Sequence, residues 1–218
     1  MTEADGMRDH WWWRPGWRAG RSFYTWHVTF ADQAGAQRLV VAYAPVLAAL
    51  PQLDPIPVRW LHLTLQGIGF TDEVDRQDVE RIVEAARKRC AELEPITAVI
   101  GPAHVDPETV QMPVRPLEPL ADLRLAIRAA IGDVWGADNV PEPEAGFRAH
   151  VTLGYSNTAG PMGPIRQALD AEAEHTAEVV ISSVSLIDLN RDHQAYEWTD
   201  VATVSLGVGD TAGLDHQG

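Results

Sequence analysis

The sequence contains a single cysteine, Cys90, and a single lysine, Lys88, among its 218 residues. One cysteine excludes an intramolecular disulfide and any zinc site built from several thiolates. Its place in a helical pattern favours an inert thiol. The chain also lacks an apolar run of the roughly 20 residues that a membrane-spanning helix needs, and its first residues lack the features of a secretory signal. We therefore expect a cytoplasmic protein without a membrane partner.

Positively charged residues are few: the chain has 17 Lys and Arg residues and 31 Asp and Glu residues, which gives a formal net charge of −14. Nonspecific binding to nucleic acid depends on Lys and Arg that neutralise phosphates, so long RNA or DNA is not an expected partner. A small anionic substrate in a local pocket remains compatible with this charge, since the potential of a site depends mainly on nearby groups. No GxGxxG follows the first predicted strand, which disfavours a classical dinucleotide-binding fold.

What the sequence does contain is a succession of strand-like and helix-like segments, with enough hydrophobic residues (45%) to form a core. Residues 1–21 form an irregular arm rich in Trp and Arg, residues 22–207 form a single domain, and residues 208–218 form a tail that we expect to be mobile. Apolar spacing predicts helices at 33–50, 75–93, 117–135 and 163–174. Alternation predicts strands at 22–30, 58–70, 96–104, 108–114, 147–155, 176–189 and 195–207. The order favours an α+β protein of two similar lobes with a cleft between them.

One predicted strand in each half carries a histidine two places before a threonine. The first motif lies in RWLHLTLQGIG (residues 59–69) and the second in FRAHVTLGY (residues 147–155). Side chains alternate between the faces of a strand, so His62, Thr64 and Gln66 share one face while the neighbouring leucines share the other. By the same alternation His150 and Thr152 point together, and Tyr155 points to the opposite face.

Two histidines suit the cleavage of a phosphodiester. Near neutral pH an imidazole can accept a proton when neutral or donate one when protonated. One histidine can therefore activate water while the other protonates the leaving oxygen. Threonine hydroxyls can donate hydrogen bonds to the phosphate oxygens on which negative charge accumulates. No metal site is expected, because each HxT strand supplies one strong ligand and zinc needs three or four.

The two stretches WLHLTLQGIG and FRAHVTLGY resemble the signatures of the two-histidine phosphoesterase superfamily, in particular its bacterial 2′-5′ RNA ligase-like branch. The likeness covers roughly residues 22–207. It implies a bilobal fold in which antiparallel sheets line a central cleft and the helices lie outside. It also implies His62 and His150 as the catalytic pair, Thr64 and Thr152 as phosphate ligands, and the opening of 2′,3′-cyclic phosphates without a metal or other cofactor.

Three features depart from this pattern or add to it. Many RNA-processing members of the superfamily have an arginine where this chain has Tyr155, which becomes a candidate substrate contact. A third HxT, His27 and Thr29 in WHVTF, is either a polar pair on a sheet face or part of a substrate site. The arm DHWWWRPGWRAGR either stacks on a base or, as we favour, packs its tryptophans against the sheet.

The sequence therefore predicts a monomeric, metal-independent cyclic phosphodiesterase acting on a small nucleotide or an RNA end and leaving a 2′-phosphate. The residues do not decide which histidine is the acid and which the base. The sequence is also compatible with other substrates, namely an ADP-ribose cyclic phosphate, a 2′-5′-linked oligonucleotide or a non-nucleotide phosphodiester. A 2′-5′ RNA ligase, or a nucleotide-binding or regulatory protein without turnover, also remains open.

Overall fold

The computed structural model describes residues 6–207, and every strand pairing in this range is antiparallel. The predicted tail at 208–218 lies outside the described residues. The helices are α1 (Ala34–Ala48), α2 (Arg76–Cys90), α3 (Leu117–Trp135) and α4 (Gly163–Asp170). The strands are β1 (Gly6–Met7), β2 (Phe23–Thr29), β3 (Leu53–Pro55), β4 (His62–Phe70), β5 (Ile96–Ile100), β6 (His104–Asp106), β7 (Thr109–Arg115), β8 (His150–Ser156), β9 (Gly160–Pro161), β10 (Ala177–Ile181), β11 (Ser183–Asn190) and β12 (Glu197–Ser205).

Two sheets form the body of the protein. One has four strands in the order β12-β11-β2-β4, and the other has six, in the order β10-β5-β7-β8-β3 with β6 paired to β7. Helices α2 and α3 pack against the four-stranded sheet, and α1 packs against the six-stranded one. The predicted α+β class with antiparallel sheets is confirmed. The strands of the first and second motifs, β4 and β8, belong to different sheets and contact each other, whereas the third HxT lies in β2, beside β4.

Apolar side chains anchor these elements as their spacing predicts. The leucines that alternate with the first motif, Leu61, Leu63 and Leu65, are at most 2% exposed. Helix α2 begins at the N-cap Asp75, whose carboxylate accepts a hydrogen bond from the Gln77 backbone N–H at 2.7 Å. Its buried residues are Val79, Ile82, Val83, Ala86 and Cys90, which form one helical face. Burial raises the pKa of the Cys90 thiol to about 11, as expected for an unreactive cysteine.

The strand predicted at 176–189 is in fact two strands that belong to different sheets. Strand β10 pairs with β5 in the six-stranded sheet, whereas β11 pairs with β2 and β12 in the four-stranded sheet. The chain crosses between the sheets at Ser182. Strand β10 alternates buried and exposed positions, whereas β11 has four successive buried residues, 184–187. The apolar residues run on through both strands, so the sequence pattern alone did not separate them.

A β-bulge in β4 also overturns the expectation that Gln66 shares a face with His62 and Thr64. His27 pairs with Thr64 and Trp26 pairs with Gln66, so Leu65 is an extra residue that reverses the alternation. The Gln66 side chain is 0% exposed. Its amide donates to the Pro141 carbonyl at 2.7 Å and its oxygen accepts from Arg128 at 2.8 Å.

Within residues 6–207, none of the helices combines the length and apolar character that crossing a membrane requires.

Candidate active site

The two HxT motifs meet at one cleft. His62 and Thr64 of β4 and His150 and Thr152 of β8 all line a cavity of about 320 Å³ between the two sheets. Neither sheet forms this site alone, because His62 and Thr64 come from one sheet and His150 and Thr152 from the other.

The two motif histidines have the same backbone anchor. His62 Nδ1 lies 2.8 Å from the Trp60 carbonyl oxygen, and His150 Nδ1 lies 2.8 Å from the Arg148 carbonyl oxygen. A carbonyl oxygen only accepts hydrogen bonds, so Nδ1 carries the proton in both rings. Nε2 of each ring is therefore the atom that gains or loses a proton.

Burial sets the protonation state of His62. It lowers the pKa of this imidazole to about 4, and the nearby His150 lowers it further, while the hydrogen bond to Trp60 acts in the opposite direction. At neutral pH His62 is therefore uncharged, and its Nε2 has a free lone pair.

His27, from the third HxT, belongs to the same cluster. Its Nε2 lies 3.1 Å from the Thr64 hydroxyl, and its ring stacks on His62 with centroids 4.3 Å apart and planes 2° from parallel. Although His27 lines the cleft, it is only 1% exposed, and burial keeps its pKa well below the usual value. Its contacts are thus with Thr64 and His62, and little of its surface is open to a ligand.

Tyr155 lies on the cleft side, contrary to the expectation from strict alternation. Val110 pairs with Gly154 and Gln111 pairs with Thr152, so Leu153 is the extra residue of a bulge in β8. The bulge turns Tyr155 to the face of Thr152, where it lines the cleft. The side chain is 5% exposed, and its ring stacks on His10 at 4.2 Å.

The N-terminal arm packs against the body and also reaches the cleft. Trp11 is 8% exposed and donates its indole N–H to Asp54 at 2.9 Å, whereas Trp12 and Trp13 are about half exposed. His10 bonds to Glu108 at 3.1 Å and to the Tyr196 hydroxyl at 3.0 Å, and burial lowers its pKa to about 4. The packing interpretation of the arm therefore agrees with the structure at Trp11, while His10 and Trp17 line the cleft.

Sequence reasoning missed several cleft residues, namely His10, Phe23, Glu142 and Tyr196. The acidic loop that contains Glu142 has the pattern of a solvated segment. In the structure Arg124, on the buried side of α3, donates to the carbonyls of Pro143 and Glu144 and ties the loop down. The sequence signal that could have indicated a fixed loop is an arginine, Arg124, on the apolar face of the helix predicted at 117–135.

Among the described residues, no group of three or more His, Cys, Asp and Glu side chains is arranged to hold a metal ion.

Comparisons with known proteins agree with this geometry. A family model described as the 2′-5′ RNA ligase superfamily matches residues 47–193. The crystal structure of TT0787 from Thermus thermophilus has a TM-score of 0.63 and 21% identity, over 85% of this chain and 97% of that one. The E. coli LigT structure with NADP⁺ has a TM-score of 0.60 and 15% identity, over 86% and 99%. The MHV ns2 PDE domain has a TM-score of 0.51 and 8% identity, over 78% and 99%. No curated protein sequence matches. At these identities the structures show a shared fold.

Proposed function

The chain belongs to the 2′-5′ RNA ligase superfamily of two-histidine phosphoesterases, and from this premise we propose that it hydrolyses the 2′,3′-cyclic phosphates of small nucleotides or RNA ends. The observation that carries the proposal is the matched pair of histidines. Both rings are fixed through Nδ1 and leave Nε2 for proton transfer, in a cleft that also holds both threonines.

His62 is the general base in this proposal, because its lowered pKa leaves Nε2 unprotonated at neutral pH. It takes a proton from water as the water oxygen forms a bond to phosphorus. The bond between phosphorus and the ribose 3′ oxygen breaks, and His150 gives its Nε2 proton to that oxygen. The product is a 2′-phosphate. Each proton transfer typically contributes ~10²–10⁴ in rate.

Thr64 and Thr152 donate their hydroxyl protons to the two non-bridging phosphate oxygens. In this arrangement His27 donates its Nε2–H to the Thr64 hydroxyl oxygen. The single hydroxyl proton of Thr64 is then free to be donated to the phosphate. His27 thus positions Thr64 and does not itself bind substrate.

A small substrate accords with the charge of the protein, since a net charge of −14 opposes a long polyanion. Relatives of the same fold support a phosphate ligand, because the E. coli LigT has been crystallised with phosphate and with 3′-AMP. The same charge disfavours the ligation of tRNA-sized substrates.

The test is turnover of 2′,3′-cyclic mononucleotides in EDTA, with the product position assigned by phosphorus NMR. His62→Asn and His150→Asn are each expected to lower kcat by roughly 10²–10⁴. His193→Asn is the matched control, because its exposed ring pairs with Glu197 on the surface. Full activity in either motif variant, or a requirement for added metal, contradicts the mechanism. Saturable nucleotide binding without product in the unmodified protein identifies a binding protein instead.

A further inference from the structure

One end of the cleft combines an aromatic wall with a carboxylate. Phe23 and Trp17 line this end and stack with centroids 5.8 Å apart and planes 29° from parallel. Both rings are half-buried, so part of each remains open to the cleft. Glu142 lines the same end from the loop that follows α3. None of these side chains takes part in the proposed proton transfers.

Gly67 brings the ring and the carboxylate together. A Cβ atom added at Gly67 would lie 2.6 Å from Glu142 Oε1 and 3.0 Å from Phe23 Cε1, so the two groups occupy the space that a side chain would fill. The Gly67 backbone N–H donates to Glu142 Oε2 at 3.3 Å. The carboxylate and the Phe23 ring therefore lie on the same side of Gly67, next to each other.

The backbone of Glu142 is also held in an uncommon conformation. Its φ of 60° lies in the left-handed region, which a residue with a side chain rarely adopts. Arg128 donates to the Glu142 carbonyl at 2.8 Å, and Arg124 ties down the next two carbonyls of the loop. Strain that the surrounding structure maintains is typical of binding and catalytic positions.

The Glu142 carboxylate is not neutralised by an ion pair with a cationic side chain of the described residues. Among residues 6–207, no Lys, Arg or His forms an ion pair with Glu142 within 4.0 Å. A carboxylate beside a phosphate site repels an anionic substrate. Hydrogen bonds from N–H groups of the substrate to the carboxylate can offset this repulsion. The group that combines a flat face for stacking with N–H donors at its edge is a nucleobase.

The spacing along β2 fits a base attached to the same ribose as the cyclic phosphate. Gly67 pairs with Thr25, two residues from His27, which contacts His62 and Thr64. Two residues of a strand span roughly 7 Å. A single ribose ring separates the phosphate from the base over a comparable distance.

We propose that Trp17, Phe23 and Glu142 form a nucleobase subsite that selects guanine. The base stacks on the aromatic wall, and the Glu142 carboxylate accepts hydrogen bonds from guanine N1–H and the adjacent exocyclic amine. Adenine and cytosine place an acceptor beside their single amino group, and uracil flanks its N–H with two carbonyls. Each therefore presents an acceptor to the carboxylate.

The proposal rests on the proposed function for its substrates, and substrate comparison tests it. The unmodified protein is expected to prefer 2′,3′-cyclic GMP over 2′,3′-cyclic UMP in kcat/KM by roughly 5- to 150-fold, the range for one bidentate base contact. Glu142→Gln is expected to bring this ratio close to one. Glu144→Gln, an exposed acid of the same loop, serves as the matched control and should leave the ratio unchanged.

Phe23→Leu separates stacking from edge recognition, because it is expected to raise KM for every base while the guanine to uracil ratio persists. A ratio near one in the unmodified protein, or the same ratio in Glu142→Gln, overturns the subsite. If no cyclic nucleotide is turned over, the proposed function fails and the subsite is tested by calorimetry. The Kd of 3′-GMP should then be lower than that of 3′-UMP, and only Glu142→Gln should remove the difference.

Discussion

At the scale of single residues, His62 shows how the environment selects a protonation state. An imidazole with an ordinary pKa of about 6.5 is partly protonated near neutrality. Burial beside His27 and opposite His150 makes the neutral form of His62 strongly preferred. Each motif histidine stands two places before a threonine, so the proposed assignment of His62 as the base depends on the folded protein alone.

The lowered pKa of His62 predicts an unusual acid limit for activity. Because the neutral base persists down to about pH 4, kcat/KM should remain high at pH 5 and fall as the pH falls through about 4. The measurement is kcat/KM against pH with a cyclic mononucleotide, and circular dichroism at each pH verifies that the protein stays folded. An acid limb centred near 6.5 would contradict the assignment of His62 as the base.

His27 gives a second prediction at this scale. His27→Phe keeps a ring stacked on His62 but removes the hydrogen bond to Thr64, so kcat should fall by about 2- to 12-fold, the value of one ordinary hydrogen bond. KM should change less, because His27 is almost fully buried.

His27→Gln retains an N–H donor and should recover part of the lost kcat, which a general loss of packing would not explain. A rise in KM with unchanged kcat would instead restore the interpretation of His27 as a substrate contact.

At the scale of secondary structure elements, two β-bulges explain why the sequence mispredicted the direction of some side chains. The leucines at 61, 63 and 65 and the buried face of α2 follow simple periodicities, and the structure reproduces both. Gln66 and Tyr155 do not point to the faces that strand alternation predicts. One extra residue in β4 and another in β8 reverse the alternation before them. A bulge depends on the partner strand, and a single strand read alone does not reveal its partner.

The arm allows a direct comparison of adjacent tryptophans. Trp11 is 8% exposed and Trp12 is 47% exposed. Trp11→Ala should lower the free energy of unfolding by about 3 kcal/mol, through lost burial and the lost hydrogen bond to Asp54 Oδ2. Trp12→Ala should change it by less than about 0.5 kcal/mol. Urea titration measures both, and equal effects would contradict the packing of the arm.

At the scale of the whole molecule, buried neutral histidines link stability to pH. The pKa values of His10, His27 and His62 lie below the ordinary value because burial disfavours the charged ring. The unfolded chain therefore binds more protons than the folded one between about pH 4 and 6.5, and the free energy of unfolding should rise with pH across this range. The exposed His193 has a raised pKa and opposes this trend.

Urea titrations at pH 5 and pH 7 test this linkage. The urea midpoint should be higher at pH 7, and His10→Asn should reduce the difference between the two pH values. A midpoint that is equal or higher at pH 5 would show that the buried histidines do not control the pH dependence.

The linear sequence was sufficient for the α+β class, the helical faces, the strands that carry each HxT and the family resemblance. All of these depend on local periodicity or short motifs, which the chain expresses residue by residue. The folded structure decided that the two motifs share one cleft with His27 and Glu142, that bulges redirect Gln66 and Tyr155, and that His62 is neutral. Those features arise from contacts between segments far apart in the chain and from burial, and both exist only after the two sheets have packed together.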